Sequence, residues 1–164
     1  MPLIIRAPNL TKPGTTCDIP VISTDMYPTI LALAGLPLRP QQHLDGVSIA
    51  ALLGGGPAPD SRSLFWHYPH YHGSTWAPGS AIRDQDWKLI EFLEENTVEL
   101  YNLADDIGEH HNLAAQSPEK VRQLQLKLSA WRSETGALIP KPNAGVVDND
   151  KSAKKLKKKR LEKK

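Results

Sequence analysis

Apolar and polar positions follow different rhythms along these 164 residues, and each rhythm predicts a different element. LIIRA (3–7) is a short, nearly continuous apolar run. That pattern suits a strand buried on both faces, as in a parallel sheet, and Pro8 ends it. STDMYPTILALAGLP (23–37) changes to the helical period. Tyr27, Ile30, Leu31 and Ala34 stand at i, i+3, i+4 and i+7, one apolar stripe for a core. Ser23, Thr24 and Asp25 are all good N-caps. With Asp25 as the cap, Pro28 takes N3, where its missing N–H costs nothing, and Gly35 and Pro37 supply the stop. DGVSIAALLGGG (45–56) reads as a short helical turn and GGGPAPD as a linker. From residue 62 the period falls to two. RSLFWHYP, SAIRDQDWKLIEFL and TVELYNL read as strands, with a hairpin turn at residues 94–96. A second helix follows over SPEKVRQLQLKLSAWRSETG (117–136). Ser117 caps it, Pro118 takes N1, Gly136 stops it, and Val121, Leu124, Leu128 and Trp131 share a face.

Composition divides the chain the same way. The formal net charge is +2, but residues 151–164 hold nine Lys/Arg and one Glu, or +8. Residues 1–150 then carry eleven Lys/Arg against seventeen Asp/Glu, or −6. The body is acidic, which argues against nucleic acid as its partner. The lysine run reads as a solvated tail, disordered together with the PKPN stretch before it. A lone cysteine, Cys17, excludes an internal disulfide framework and a cysteine-based zinc site, and reads as a small, semi-buried residue. No apolar run reaches the ~18–20 residues a membrane-spanning helix needs. MPLIIRAPNL is too short and too lightly charged for a signal peptide, which would leave the chain cytoplasmic if expressed as it stands.

LFWHYPHYHGSTWAPG (64–79) concentrates three histidines, two tyrosines and two tryptophans. His70 and His72 would share a face and His67 would point the other way, while Pro69 confines the segment to an edge or loop. Three readings stay open: a metal site, aromatic packing with satisfied imidazoles, and the wall of a substrate pocket. The metal reading is weakened because no carboxylate lies between residues 61 and 83. For the wall, His67, His70, His72 and Trp76 are the candidates. The imidazoles would hydrogen-bond an anionic or hydroxylated ligand, and Trp66, Tyr68, Tyr71 and Trp76 would stack on a ring. Arg83, Asp86, Trp87 and Lys88 read as scaffold, with Trp87 buried and Lys88 at the surface or ion-paired. DDIGEHHNLA reads as a turn with Gly108 at positive φ and Asn112 capping locally, since EF-hand spacing is absent.

PLIIRAP, STDMYPTILALAGLP, LDGVSIAALLGG, SAIRDQDWKLI and VELYNLADDIGEHHNLA, in that order and over about residues 2–137, resemble the C-terminal third of a type I sulfatase. The resemblance implies an α+β chain. A small four-stranded antiparallel sheet packed with a C-terminal helix (57–137) would follow the last strand and helices of an alkaline-phosphatase-like α/β domain (1–56). Residues 138–164 would form a basic tail. The family hydrolyses aryl or carbohydrate sulfate esters with a formylglycine nucleophile made from a C/S-x-P-x-R motif, assisted by calcium bound to Asp and Asn. CDIPV at Cys17 does not match that motif. The resemblance therefore implies no catalytic residue, no metal ligand and no cofactor of its own in this chain. It implies calcium in the full-length family, with a sulfated small molecule or glycan as the parent's ligand. A truncated start, sheet edges and apolar helix faces of residues 1–56 left exposed, with aggregation or partial disorder there, and a parent exported to the periplasm or secreted are further expectations. Neither a membrane nor nucleic acid is an expected partner, and the oligomeric state stays open. Two alternatives stand beside this reading: a stand-alone module that binds sulfated glycans, and an interaction protein acting through the basic tail.

Overall fold

The computed structural model describes residues 3–73 and 77–141, which fall into two compact units that divide after Ser61. In the second unit the four strands form one antiparallel meander: β1 (Ser63–Tyr68), β2 (Gly79–Asp84), β3 (Trp87–Phe92) and β4 (Thr97–Asn102), in that spatial order. A single helix among the described residues of this unit, α3 (Pro118–Thr135), lies across β2 and β3. This is the sheet-and-helix arrangement that the alternating and helical rhythms predict.

Register explains the core. Phe65, Ile82, Leu89 and Leu100 stand opposite one another across the four strands. Ile82, Leu89 and Leu100 are fully buried against Val121, Leu124 and Leu128 of α3. Phe65 stacks flat on Trp131, with ring centroids 5.0 Å apart. Each such aliphatic side chain removed from water contributes about 1.5–3 kcal/mol before the cost of ordering the chain. The other sheet face is apolar as well: Ala81, Ile90, Phe92 and Tyr101 are buried there with Leu103. Adjacent pairs such as Leu89 and Ile90 therefore serve both faces, which a strict polar alternation would not allow. Burial, with the neighbouring Glu99 carboxylate that its hydroxyl contacts, pushes the Tyr101 phenol pKa up.

The turns depart from the expectations in two places. SAIRDQDWKLIEFL is not one strand but two, folded at Gln85–Asp86, with Gln85 in the left-handed region at φ +57°. The expected hairpin at 94–96 is present, and Asn96 takes φ +50°. In the acidic turn it is Glu109, not Gly108, that has positive φ, at +56°. A Cβ at Gly108 would lie 2.1 Å from the His110 ring, an exposed side chain that can swing aside, so space does not demand glycine there. The Asn112 side-chain oxygen accepts from the Leu100 and Ala114 amides, and the Leu113 amide donates to the Leu100 carbonyl. That pairing occupies the outer edge of β4, where open backbone groups would otherwise face solvent.

The first unit has little regular structure. A 3-10 turn at Ser23–Asp25 leads into α1 (Met26–Leu33), and α2 (Ala50–Leu53) is one turn long. Residues 3–7 form no strand ladder, and Ile4 is 93% exposed. An apolar run becomes a strand only where another strand offers its N–H and C=O groups, and none among the described residues does so. Cys17 is exposed rather than semi-buried. The apolar stripe of α1 lies open, as expected for residues 1–56: Tyr27 and Ile30 are exposed, and the packed positions are Asp25, Pro28 and Thr29. The reason is polar. Asp25, fully buried, accepts from the Ile22 amide with Oδ2 and from the Val47 amide with Oδ1, both at 3.0 Å. Thr29 donates to the Asp25 carbonyl and accepts from the Ile49 amide. These bonds turn the Asp25–Thr29 side of the helix toward residues 46–49. Gly46 is held there by contact, since a Cβ would sit 2.2 Å from the Thr24 carbonyl oxygen.

Candidate functional site

The histidine-aromatic segment begins on β1, an edge strand, and continues past Pro69 into loop, as the proline predicts. Alternation on β1 separates its side chains. His67 lies on the helix side, in register with Ser80, whereas Trp66 and Tyr68 stand on the opposite face beside Ala81 and Gly79. Small neighbours in β2 leave both rings broad exposure, 41% for Trp66 and 44% for Tyr68. His70 and His72 converge on Tyr68, meeting its ring edge-on at centroid distances of 5.6 and 6.3 Å. The Tyr71 hydroxyl donates to Glu94, which joins this loop to the β3–β4 turn. Trp76 lies outside the described residues, as does the lysine tail.

His67 is held quite differently from His70 and His72. Its Nδ1 is 2.8 Å from the Ser80 hydroxyl and its Nε2 is 2.9 Å from the Leu138 carbonyl. Arg132 donates to the same hydroxyl and pairs with Glu91, which also accepts from Gln125. A carbonyl can only accept, so Nε2 carries the proton. The Ser80 hydroxyl, already accepting from Arg132, then donates to Nδ1. One neutral tautomer satisfies every group, and His67 ties the segment after α3 to the edge strand.

The scaffold group behaves as expected for Lys88, which pairs with Glu109 at 2.6 Å. Trp87 is only half-buried, with the Lys120 ammonium 5.6 Å from its ring centroid. Arg83 donates to the Gln85 carbonyl. Burial raises the pKa of the Asp84 carboxyl, but hydrogen bonds from Lys127 and Ser63 outweigh it, and the net shift is downward. In the acidic turn, Asp106 accepts from the His111 amide and the His110 ring. Those bonds, the backbone N–H bond of His111 foremost, lower its pKa to about 2. Asp105 accepts from Asn102. These carboxylates are thus spent on their own turn, and no group of three His, Cys, Asp or Glu among the described residues forms a metal donor set. The calcium that the resemblance implies for the full-length family does not fit the residues described here.

A feature that sequence reasoning missed lies in the first unit. A depression of about 330 Å³ is lined by Tyr27, Gln42, His43 and Asp45, among others. His43 donates from Nδ1 to the Gly46 carbonyl, leaving Nε2 as an acceptor that is buried and has no partner among the described residues. A single histidine between glutamine and leucine carries no sequence signal of this.

Four antiparallel strands with one helix across the middle pair make the small-domain arrangement that the resemblance to sulfatases implies. Residues 1–134 match the family described as N-sulphoglucosamine sulphohydrolase, C-terminal, and the chain belongs to that family. A sulfatase from Formosa agariphila is 34% identical over 152 residues, covering 84% of this chain and 28% of the relative. Arylsulfatase K from Xenopus laevis is 32% identical over 136 residues, covering 78% of this chain and 25% of that protein. Among solved structures, BT4656 in complex with its substrate D-glucosamine-2-N,6-O-disulfate superposes with a TM-score of 0.67 at 27% identity, covering 81% of this chain and 28% of that one. The chain thus spans about a quarter of the length of the curated relatives it matches.

Proposed function

We propose that this chain supplies the C-terminal scaffold and one wall of a sulfatase active site whose substrate is a sulfated sugar. The observation that carries the reading is the family match over residues 1–134. The likeness to a structure solved with a sulfated glucosamine supports the substrate class. In this reading Trp66 and Tyr68 offer ring faces, and His70 and His72, grouped around Tyr68, offer hydrogen bonds to hydroxyl or sulfate oxygens. His67 acts as a positioning residue, since both its nitrogens are held by Ser80 and Leu138. Trp76 is assigned to the same wall on sequence grounds. The nucleophile and the calcium ligands belong to the catalytic domain of the assembled enzyme. These 164 residues by themselves contain no C/S-x-P-x-R motif and do not hydrolyse sulfate esters.

The purified chain tests both halves of this reading. Incubated with an aryl sulfate and with D-glucosamine-2-N,6-O-disulfate, it should release no sulfate above background. Titration with the same disulfate should shift the ring-proton NMR signals of His70 and His72 while leaving His110 and His111 in place. Sulfate release well above background overturns the scaffold assignment, and shifts confined to other histidines overturn the wall.

A further inference from the structure

His43 lines the depression of about 330 Å³ in the first unit, and its side chain is only half satisfied. Nδ1 donates to the Gly46 carbonyl, 3.2 Å away, so Nε2 is left as an acceptor, buried and without a partner among the described residues. A buried acceptor with no donor is unfavourable, and its natural complement is a hydroxyl or amine that arrives from outside the chain. The neighbouring residues narrow the choice. Asp45 is the one charged group in the lining, and no lysine or arginine lines the depression, so an anion would enter against the field. Gln41 and Gln42 bring amides that both donate and accept, and the Tyr27 ring supplies an apolar face. This combination suits a ring that carries several hydroxyls and no charge.

The walls are set before any ligand arrives, which lowers the ordering cost of binding. The loop that carries Gln42 and His43 turns on the Arg39 carbonyl, which accepts from both their amides. Gly46 closes it, donating to the His43 carbonyl and lying against the Thr24 carbonyl too closely for any Cβ. The Asp25 carboxylate then holds the Val47 amide. The rim is looser. There the Tyr27 hydroxyl donates to Gln42 Oε1 at 2.6 Å in an exposed bond, and the Tyr27 ring meets His43 edge-on with centroids 6.3 Å apart. We propose that this depression binds a neutral, unsulfated sugar ring. One sugar hydroxyl replaces the exposed Tyr27–Gln42 bond, which costs little. The Tyr27 ring turns onto the C–H face of the sugar, and a second hydroxyl donates to the His43 Nε2 that this turn uncovers. The site stands on residues of the first unit alone and is independent of the sulfated-sugar wall.

An NMR titration of the full chain, read at the Gln42 and Gly46 amides, tests this with three probes. N-acetyl-D-glucosamine is neutral, D-glucosamine is cationic, and D-glucosamine-2-N,6-O-disulfate is anionic. The neutral sugar should shift both amides along a saturating curve, with an affinity at least tenfold tighter than that of either charged probe. His43→Asn keeps a donor for the Gly46 carbonyl and removes Nε2, and it should weaken binding of the neutral sugar at least tenfold. Hydrogen exchange at the Val47 amide shows whether that variant keeps the loop in place; if it does not, Tyr27→Ala is read instead, with the same tenfold loss expected. No saturation by about 50 mM N-acetyl-D-glucosamine, well above the ~1 mM of a weak specific site, overturns the proposal. So does a charged probe that binds as tightly as the neutral one, or binding that the substitution leaves unchanged.

Discussion

The two units of this chain solve the same problem in opposite ways. Of the thirteen buried hydrophobic residues among those described, twelve lie after Ser61 and only Ile49 before it. The sheet unit buries Ile82, Leu89, Leu100, Leu124 and Leu128 completely and uses ion pairs to trim the margins of that core. The first unit has a polar centre instead, Asp25 and Thr29 on backbone amides, with its apolar side chains turned outward. A core gives stability in proportion to the area removed from water, whereas a few hydrogen bonds contribute about 1 kcal/mol each and mainly fix geometry. The lesson is that the sheet unit carries its own stability, and the first unit holds its geometry through hydrogen bonds with little core of its own.

Substitutions can break or sharpen that contrast. Leu124→Ala should have the largest effect, about 2–5 kcal/mol from the sheet unit, read as a lower urea midpoint by tryptophan fluorescence. Ile30→Ala in the isolated chain should change the same melt by no more than ~0.5 kcal/mol. Equal costs would erase the distinction between the units. Next comes Arg132→Met, which strips Glu91 of its cation and Ser80 of a donor. It should cost the sheet unit about 1.5–3 kcal/mol, the range for hydrogen bonds to charged groups. Asp25→Ala removes bonds of the same kind in the first unit. There it should speed exchange of the Val47 amide roughly 10–100-fold, the kinetic equivalent of that range, without moving the melt of the sheet.

The smallest effect is a pH dependence. The Asp106 carboxyl titrates near pH 2 in the folded chain, below its ordinary value of 3.8. Its contribution to stability is therefore complete above about pH 4 and is lost as pH falls toward 2, because the unfolded chain takes up the proton first. Asp106→Asn should flatten that part of an acid titration of the melt and leave the neutral range almost unchanged.

Much of the sheet unit was legible because its signals are local. Ser117, Pro118 and Gly136 bracket α3, and Val121, Leu124 and Leu128 face the core at the spacing the period predicts. The turn at Gln85–Asp86 was missed although Arg83, Asp84, Gln85 and Asp86 break the alternation with four polar residues in a row, because neither Gly nor Pro stands among them. Periodicity located the apolar stripe of α1, but not the polar bonds of Asp25 and Thr29 that decide which side of the helix is packed. At the candidate site, the edge position and the passage into loop followed from Pro69. The tie from His67 to Leu138 did not, because those residues are 71 positions apart and meet only once α3 has folded back.

Hydrogen exchange of the complete chain, read by mass spectrometry, tests the contrast between the units most directly. Peptides from 79–103 and 118–135 should exchange together and slowly, at the rate set by global unfolding. Peptides from 3–21 and 26–38 should exchange at least a thousandfold faster. One common slow rate across both units would show that the first unit already possesses a core of its own, and the account would fail.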